Sequence, residues 1–198
     1  MIKILSGELK AANIKTPDII RPTKAIVKQA LFNIIRNHID NFNNKIFLDV
    51  FSGSGNIGIE AVSNGFLCVF VEKFKSVYEI LKYNLEKYKI QFQTYQFSAL
   101  KKLNDVEAID KNIVIYGDAL KTIKLLNSKF DVIFIDPPYN SNLAEKILSN
   151  DNLKNIIHNK TLIIIETSKQ NFNANVPDYL KLLSQKKYGE AYLYIFQK

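Results

Sequence analysis

The residues of this chain best suited to chemistry are Asp136-Pro137-Pro138-Tyr139, directly behind the apolar run Val132-Ile133-Phe134-Ile135. A continuous β-branched and aromatic run reads as a fully buried strand. The four residues are therefore expected at its carboxyl end, where open α/β sheets place their ligands. Two successive prolines remove two backbone donors and stiffen the turn, leaving carbonyl acceptors beside the Asp136 carboxylate. Tyr139 adds a flat face on which a planar base can stack, with an exocyclic amino group in reach of those acceptors. A Pro-Pro pair alone reads as a tight turn ending a strand; Asp before it and Tyr after it favour an amine-binding loop.

A second stretch, Asp49-Val50-Phe51-Ser52-Gly53-Ser54-Gly55-Asn56-Ile57-Gly58, joins another apolar strand to a helix through a glycine-rich turn. Glycine admits positive φ and lets a ligand lie against the main chain. Read literally, Gly53-x-Gly55-x-x-Gly58 also matches the dinucleotide fingerprint. The accompanying acids weigh against a dinucleotide. Glu72 follows the next strand and can accept from ribose hydroxyls, Asp118 follows a third strand and can accept from an adenine amino group, and Asp49 sits at the mouth of the turn. Acids crowding a pocket repel a pyrophosphate but suit a ligand with a sulfonium and an α-amino group. S-adenosylmethionine is the expected cofactor, held by Asp49, Phe51, Gly53, Gly55, Glu72, Asp118 and Asp136. Taken singly, Glu72 and Asp118 could equally be acids complementing helix N-termini.

The elements that must position these residues are strands at Ile46–Val50, Leu67–Val71, Ile113–Tyr116, Val132–Ile135 and Thr161–Ile165, with helices between them near 57–64, 76–88, 119–127 and 143–157. Ser76-Val77-Tyr78-Glu79 fits a capping box. An earlier helix starts after Pro22-Thr23 and carries Val27, Leu31, Ile34 and Ile35 at helical spacing. Strands alternating with helices predict a parallel sheet covered on both faces. Leu180–Lys187 and Ala191–Phe196, joined through Tyr188-Gly189-Glu190, predict an antiparallel hairpin that closes a seven-stranded, mostly parallel sheet. Residues 89–111 lack a clear period and read as an insertion, a solvated loop with a local aromatic cluster.

The chain has 198 residues, 47% of them hydrophobic, enough for one domain with a full core. Residues 1–44 read as a basic N-terminal extension and 45–198 as the catalytic core. Lysine and arginine number 27 against 19 acids, a net charge of +8, and residues 1–47 hold eight basic residues against three acidic ones. That distribution points to a polyanionic partner. One cysteine excludes an intramolecular disulfide, and with two separated histidines no metal-ligand spacing arises, so no metal is expected. No apolar run reaches the roughly 18 residues of a membrane span, and the N-terminus lacks a signal peptide's apolar core, so a cytoplasmic protein is expected.

These motifs resemble those of class I S-adenosylmethionine-dependent methyltransferases acting on amino nitrogens. The flanking Leu5-Ser6-Gly7, Arg21-Pro22-Thr23, Ala30-Leu31-Phe32-Asn33, Phe51 to Ala61 and Tyr188-Gly189 are similar to the RsmD family, which methylates the 2-amino group of a guanine in bacterial 16S ribosomal RNA. The resemblance covers nearly the whole chain. It implies a Rossmann-like α/β fold, catalysis by Asp136, Pro137, Pro138 and Tyr139, and a 16S rRNA partner within the small subunit or its assembly intermediate. The protein is expected to act as a monomer, and Lys10, Arg21, Thr23, Lys24 and Lys28 are the expected RNA contacts. The chain departs from the family at Lys10-Ala11-Ala12, where Arg-Gly-Arg is usual, and at Lys28-Gln29, where Arg-Glu is usual. Competing readings are a DNA adenine or cytosine amino-methyltransferase, an NAD-dependent oxidoreductase, which leaves the Asp-Pro-Pro-Tyr loop idle, and a noncatalytic RNA-binding protein, which leaves the acidic pocket idle.

Overall fold

The computed structural model describes residues 2–17, 23–98, 109–138, 141–170, 172 and 176–198. Arg21, Pro22 and Tyr139 lie outside them. The sheet is built from β3 (Ile46–Asp49), β4 (Leu67–Glu72), β5 (Phe92–Gln96), β6 (Asn112–Tyr116), β7 (Phe130–Ile135), β8 (Ile157–Thr167), β9 (Lys181–Tyr188) and β10 (Ala191–Gln197). Their order across the sheet is β5-β6-β4-β3-β7-β8-β10-β9, with β10 antiparallel to both β8 and β9 and the other pairs parallel. A two-residue turn at Gly189-Glu190 forms the expected hairpin, with Ala191 opposite Tyr188.

The strands form because nearly every position is apolar and buried, and their pleat sends alternate side chains to opposite layers. Phe47, Phe70, Val114, Phe134 and Ile164 face α1 (Ala25–Arg36), α2 (Asn56–Ser63) and α3 (Lys75–Lys87). Leu48, Val69, Ile115, Ile133 and Ile165 face α4 (Ala119–Ile123) and α5 (Leu143–Leu148). Among the described residues the sheet has eight strands, one more than expected. The additional strand, β5, lies within the 89–111 stretch and pairs in parallel with β6 on the outer edge. An edge strand with both faces half in water needs no alternating pattern, so its Gln-Thr-Tyr-Gln run carried no strand signal. Buried Asn112 joins it to the sheet, accepting from Cys68 N–H at 2.9 Å and donating to Gln91 O at 3.0 Å. Three helix boundaries also differ, and α4, expected to 127, ends at Ile123. α3 starts at Lys75 with Phe74 as its cap and no side-chain capping bond, so Ser76 does not form the expected box. The segment after Leu143 is a short α-helix followed by a 3-10 turn at Asp151–Asn155.

The N-terminal segment, with the small hairpin β1 (Ile2–Lys3) and β2 (Asn13–Ile14), is fastened to α2 by a buried polar hub. Glu60, 1% exposed, accepts from Leu5 N–H at 2.8 Å, from Ser6 N–H at 2.7 Å and from Ser6 Oγ at 2.8 Å. Gly7, at φ +79°, lies so close to Ser63 that a Cβ would sit 1.8 Å from its carbonyl oxygen, which leaves room for glycine alone. Lys28 completes the hub. Its ammonium is 0% exposed, pairs with Glu60 at 2.9 Å and donates to Lys3 O at 2.8 Å and Asn56 Oδ1 at 2.9 Å. The expectation that Lys28 contacts RNA is therefore corrected: a fully enclosed cation cannot reach a phosphate.

Burial pushes the Lys28 pKa down, while Glu60 acts to raise it. Lys28→Ala would leave Glu60 buried without its counter-ion, a loss of about 3 to 5 kcal/mol. Denaturant unfolding of the variant should show that loss. A change below about 1 kcal/mol, the size usual for an exposed lysine, would contradict this role.

Candidate active site

Chain order makes the crevice. From β3 in the centre the chain first builds the β4 side and then returns to place β7 on the other side, so the carboxyl ends of β3 and β7 meet at a topological switch point. There a cavity of about 580 Å³ opens, lined among others by Asp49, Phe51, Gly53, Glu72, Asp118 and Asp136. Six of the seven expected cofactor residues thus share one space of a size typical for a nucleotide-like ligand.

The exception is Gly55. At φ +88° it caps α2, and a Cβ there would meet Leu81 Cδ1 at 2.6 Å and Ile59 Cδ1 at 2.9 Å. Its missing side chain makes room for apolar packing behind the turn, not for a ligand in front of it. Gly58 is likewise a packing position, against the Phe70 ring and Asp49. The resemblance to a dinucleotide fingerprint therefore reflects the fit of helix to sheet.

The acids shape the turn as well as line it. Gly58 N–H donates to Asp49 Oδ2 at 3.0 Å, Gly53 N–H to Glu72 Oε2 at 3.0 Å and Phe74 N–H to Glu72 Oε1 at 2.7 Å. An ionised carboxylate offers about four acceptor positions, so Glu72 keeps capacity for ligand hydroxyls. Asp118 caps α4 through Lys121 N–H at 3.3 Å and pairs with Lys73 at 3.1 Å. Partial burial pushes its pKa up, but Lys73 and backbone donors outweigh that and hold it below the ordinary value. Phe51, Phe74, Val77 and Leu120 supply apolar walls. Phe74 is exposed although it lines the cavity; its position directly behind Glu72-Lys73 was the only sequence clue to it.

Asp136, Pro137 and Pro138 stand at the mouth of the cavity and also border a crevice of about 20 Å³ that contains Glu166, Ser141 and Lys169. Thr23, expected on the RNA surface, is buried and donates from Oγ1 to Asp136 Oδ2 at 3.3 Å. It belongs to the acid cluster instead. Asn56, whose Oδ1 binds Lys28, donates from Nδ2 to Thr23 O at 3.4 Å. A chain of contacts therefore runs from the Glu60 hub to Asp136. Of the other expected RNA contacts, Lys10 is exposed, and Lys24 is 52% exposed and 3.8 Å from Glu190.

Sequence reasoning missed Glu166, which is 6% exposed. It follows the apolar run of β8 as Glu72 follows β4, and that repeated acid at a strand end was the available signal. Burial raises Asp49 to about 8, with Gly58 N–H opposing and Asp136 and Glu72 adding. Burial raises Asp136 to about 7, with Thr23 opposing, and raises Glu166 to about 9, with Asp136 adding. Burial likewise raises Glu72 against its backbone donors. Among the described residues no cluster of three potential metal ligands occurs, and no helix is long and apolar enough to cross a membrane.

The family profile described as Conserved hypothetical protein 95 matches residues 2–197. The ribosomal RNA small subunit methyltransferase D of Buchnera aphidicola subsp. Acyrthosiphon pisum is 31% identical over 198 residues, covering 98% of this chain and 92% of its own. The protein of the same name from Haemophilus influenzae is 32% identical over 181 residues, covering 90% and 83%. A solved Escherichia coli structure described as a methyltransferase, yhhF, has a TM-score of 0.78 at 24% identity and covers 100% of this chain and 97% of that one.

The raised carboxyls carry a sign that can be measured. Each binds its proton more tightly folded than unfolded, so its contribution to stability is complete below about pH 4 and is lost as pH rises through about 7 to 9. Asp49→Asn removes one such group. Unfolding free energies measured from pH 5 to pH 8 should fall less steeply in the variant, by up to about 1.4 kcal/mol per pH unit; parallel profiles would show that Asp49 is not held neutral.

Proposed function

The chain belongs to the RsmD family, and from that membership we propose that it transfers the methyl group of S-adenosylmethionine to the exocyclic 2-amino group of a guanine in 16S ribosomal RNA. The observation that carries this reading is the meeting of strand-end acids, Asp49, Glu72, Asp118 and Asp136, around one cavity whose mouth is the Asp136-Pro137-Pro138 turn. We place the adenosine between the apolar walls at Phe51 and Phe74, with Glu72 on the ribose hydroxyls and Asp118 toward the adenine amino group. Asp49 complements the positive end of the cofactor. When bound, the cofactor supplies an electrophilic methyl carbon.

The chain's own part is to make a poor nucleophile competent. The lone pair of a guanine amino group is delocalised into the ring until the nitrogen pyramidalises. Acceptance of its N–H bonds by the Asp136 carboxylate and the Pro137 carbonyl favours that change and stabilises positive charge developing on nitrogen. Asp136 then takes the proton that the nitrogen releases. Positioning of the base by the turn, with Tyr139 as stacking partner, supplies much of the remaining acceleration. We propose one catalytic unit acting as a monomer without a metal, in the cytoplasm, on RNA of the small subunit or its assembly intermediate.

Calorimetry should find cofactor binding weakened at least tenfold by Glu72→Ala, and binding to the wild type should release protons as the cationic ligand ionises Asp49. Asp136→Ala should keep much of that affinity yet lose most radiolabelled methyl transfer to small-subunit RNA. A wild-type rate in that variant would overturn the role of Asp136.

The basic N-terminal segment supports the RNA partner through its exposed lysines, Lys10 and Lys24, together with Arg21. Each phosphate neutralised adds roughly 0.7 to 0.9 to the log–log slope of RNA affinity against salt. Glutamate at Lys10 and Lys24 should flatten that slope by about 1.5 and weaken RNA binding while cofactor affinity holds. An unchanged slope would move the RNA surface elsewhere.

A further inference from the structure

Glu166 has no part in the scheme above, although its surroundings are unusual. In the parallel register Ile135 lies beside Ile165 and both face the α4 and α5 layer, so the pleat turns the next pair, Asp136 and Glu166, toward α1. Leu193, opposite Glu166 on β10, faces that same α1 layer. Thr23, just ahead of α1, donates to Asp136, and it also favours the ionised form of Glu166. Glu166 Oε2 is buried and has no hydrogen-bond partner among the described residues. The facing groups are Asp49 from β3, Glu145 from α5 and Lys169 beyond β8, and the last two pair with each other at 2.7 Å. A lone buried carboxylate oxygen beside a second carboxylate is costly unless one of the two acids keeps a proton.

We propose that Glu166 is a positioning residue for Asp136: the two carboxyls share one proton, which holds Asp136 as a fixed acceptor for the substrate amine. The inference rests on the proposed function for its substrate, but the pairing itself does not. With one shared proton, the pair carries a single negative charge. When the methylated nitrogen gives up a proton, the pair holds two, and one returns to solvent before the next cycle. The shared proton fixes the rotamer of the Asp136 side chain. This assigns Thr23 a task in the site as well, since its hydroxyl donates to Asp136.

Carboxyl ¹³C NMR titration of the whole protein tests the pairing without reference to activity. The wild type should show Asp136 and Glu166 titrating together, each in the same two steps, as coupled acids do. In Glu166→Gln, which keeps the side-chain volume and loses the proton, Asp136 should titrate in one step. The methyl-transfer rate at pH 8 should fall about tenfold with cofactor affinity unchanged. Glu166→Asp should retain two-step titration. An Asp136 that keeps two titration steps in Glu166→Gln overturns the proposal. If that variant does not fold, the wild-type titration decides alone: independent single steps for the two acids overturn it. A wild type that shows the coupled titration but methylates no RNA would refute the proposed function and leave the pair standing.

Discussion

The arrangement of this protein depends on a cation that never meets water. Lys28 sits in the first turn of α1 with its ammonium enclosed, and an enclosed charge persists only where every donor finds an acceptor. Its three contacts come from two elements: Glu60 and Asn56 in α2 and Lys3 O in the N-terminal hairpin. Satisfying one ammonium therefore fixes α1, the N-terminal segment and the glycine turn relative to one another. Asn56 passes the constraint to Thr23, and Thr23 passes it to Asp136. Much of the N-terminal segment is thus the clamp that completes the acid cluster, and its exposed lysines are left for an outside partner.

The same economy of groups recurs at the cavity. Asp49 and Glu72 hold backbone donors of the glycine turn and also line the space where a ligand lies. Because desolvation penalises the charged form, Asp49 favours neutrality until a positive ligand arrives. Binding a cation then relieves the unfavourable burial of charge, so the acids that shape the site also select against an anionic ligand such as a pyrophosphate.

What was legible in the sequence follows from the range of each signal. Strands buried on both faces announce themselves as unbroken runs such as Phe130–Ile135, and an acid after such a run, as at Glu72 or Asp136, marks a strand end without any knowledge of the partner. β5 was illegible because an edge strand half in water owes its conformation to hydrogen bonds with β6 and not to a pattern of its own. Lys28 was misread for a related reason. A lysine in a basic segment looks like a phosphate ligand until the fold brings Glu60 beside it, and nothing local predicts an ion pair 32 residues apart. Gly55 was assigned to the cofactor because a missing Cβ has two possible beneficiaries, the ligand in front and the side chains behind; Leu81 and Ile59 decide for the second. Glu166 repeated the pattern that identified Glu72 and could have been found by the same rule.

The central claim is that the strand-end acids present a base amino group to a methyl donor and that the base is guanine. Mass-spectrometric analysis of nucleosides from small-subunit RNA, incubated with the protein and isotopically labelled S-adenosylmethionine, tests it most directly. The account predicts a single labelled product, N2-methylguanosine. Label on an adenine or cytosine amino group, or no label in RNA at all while the cofactor binds, would contradict it.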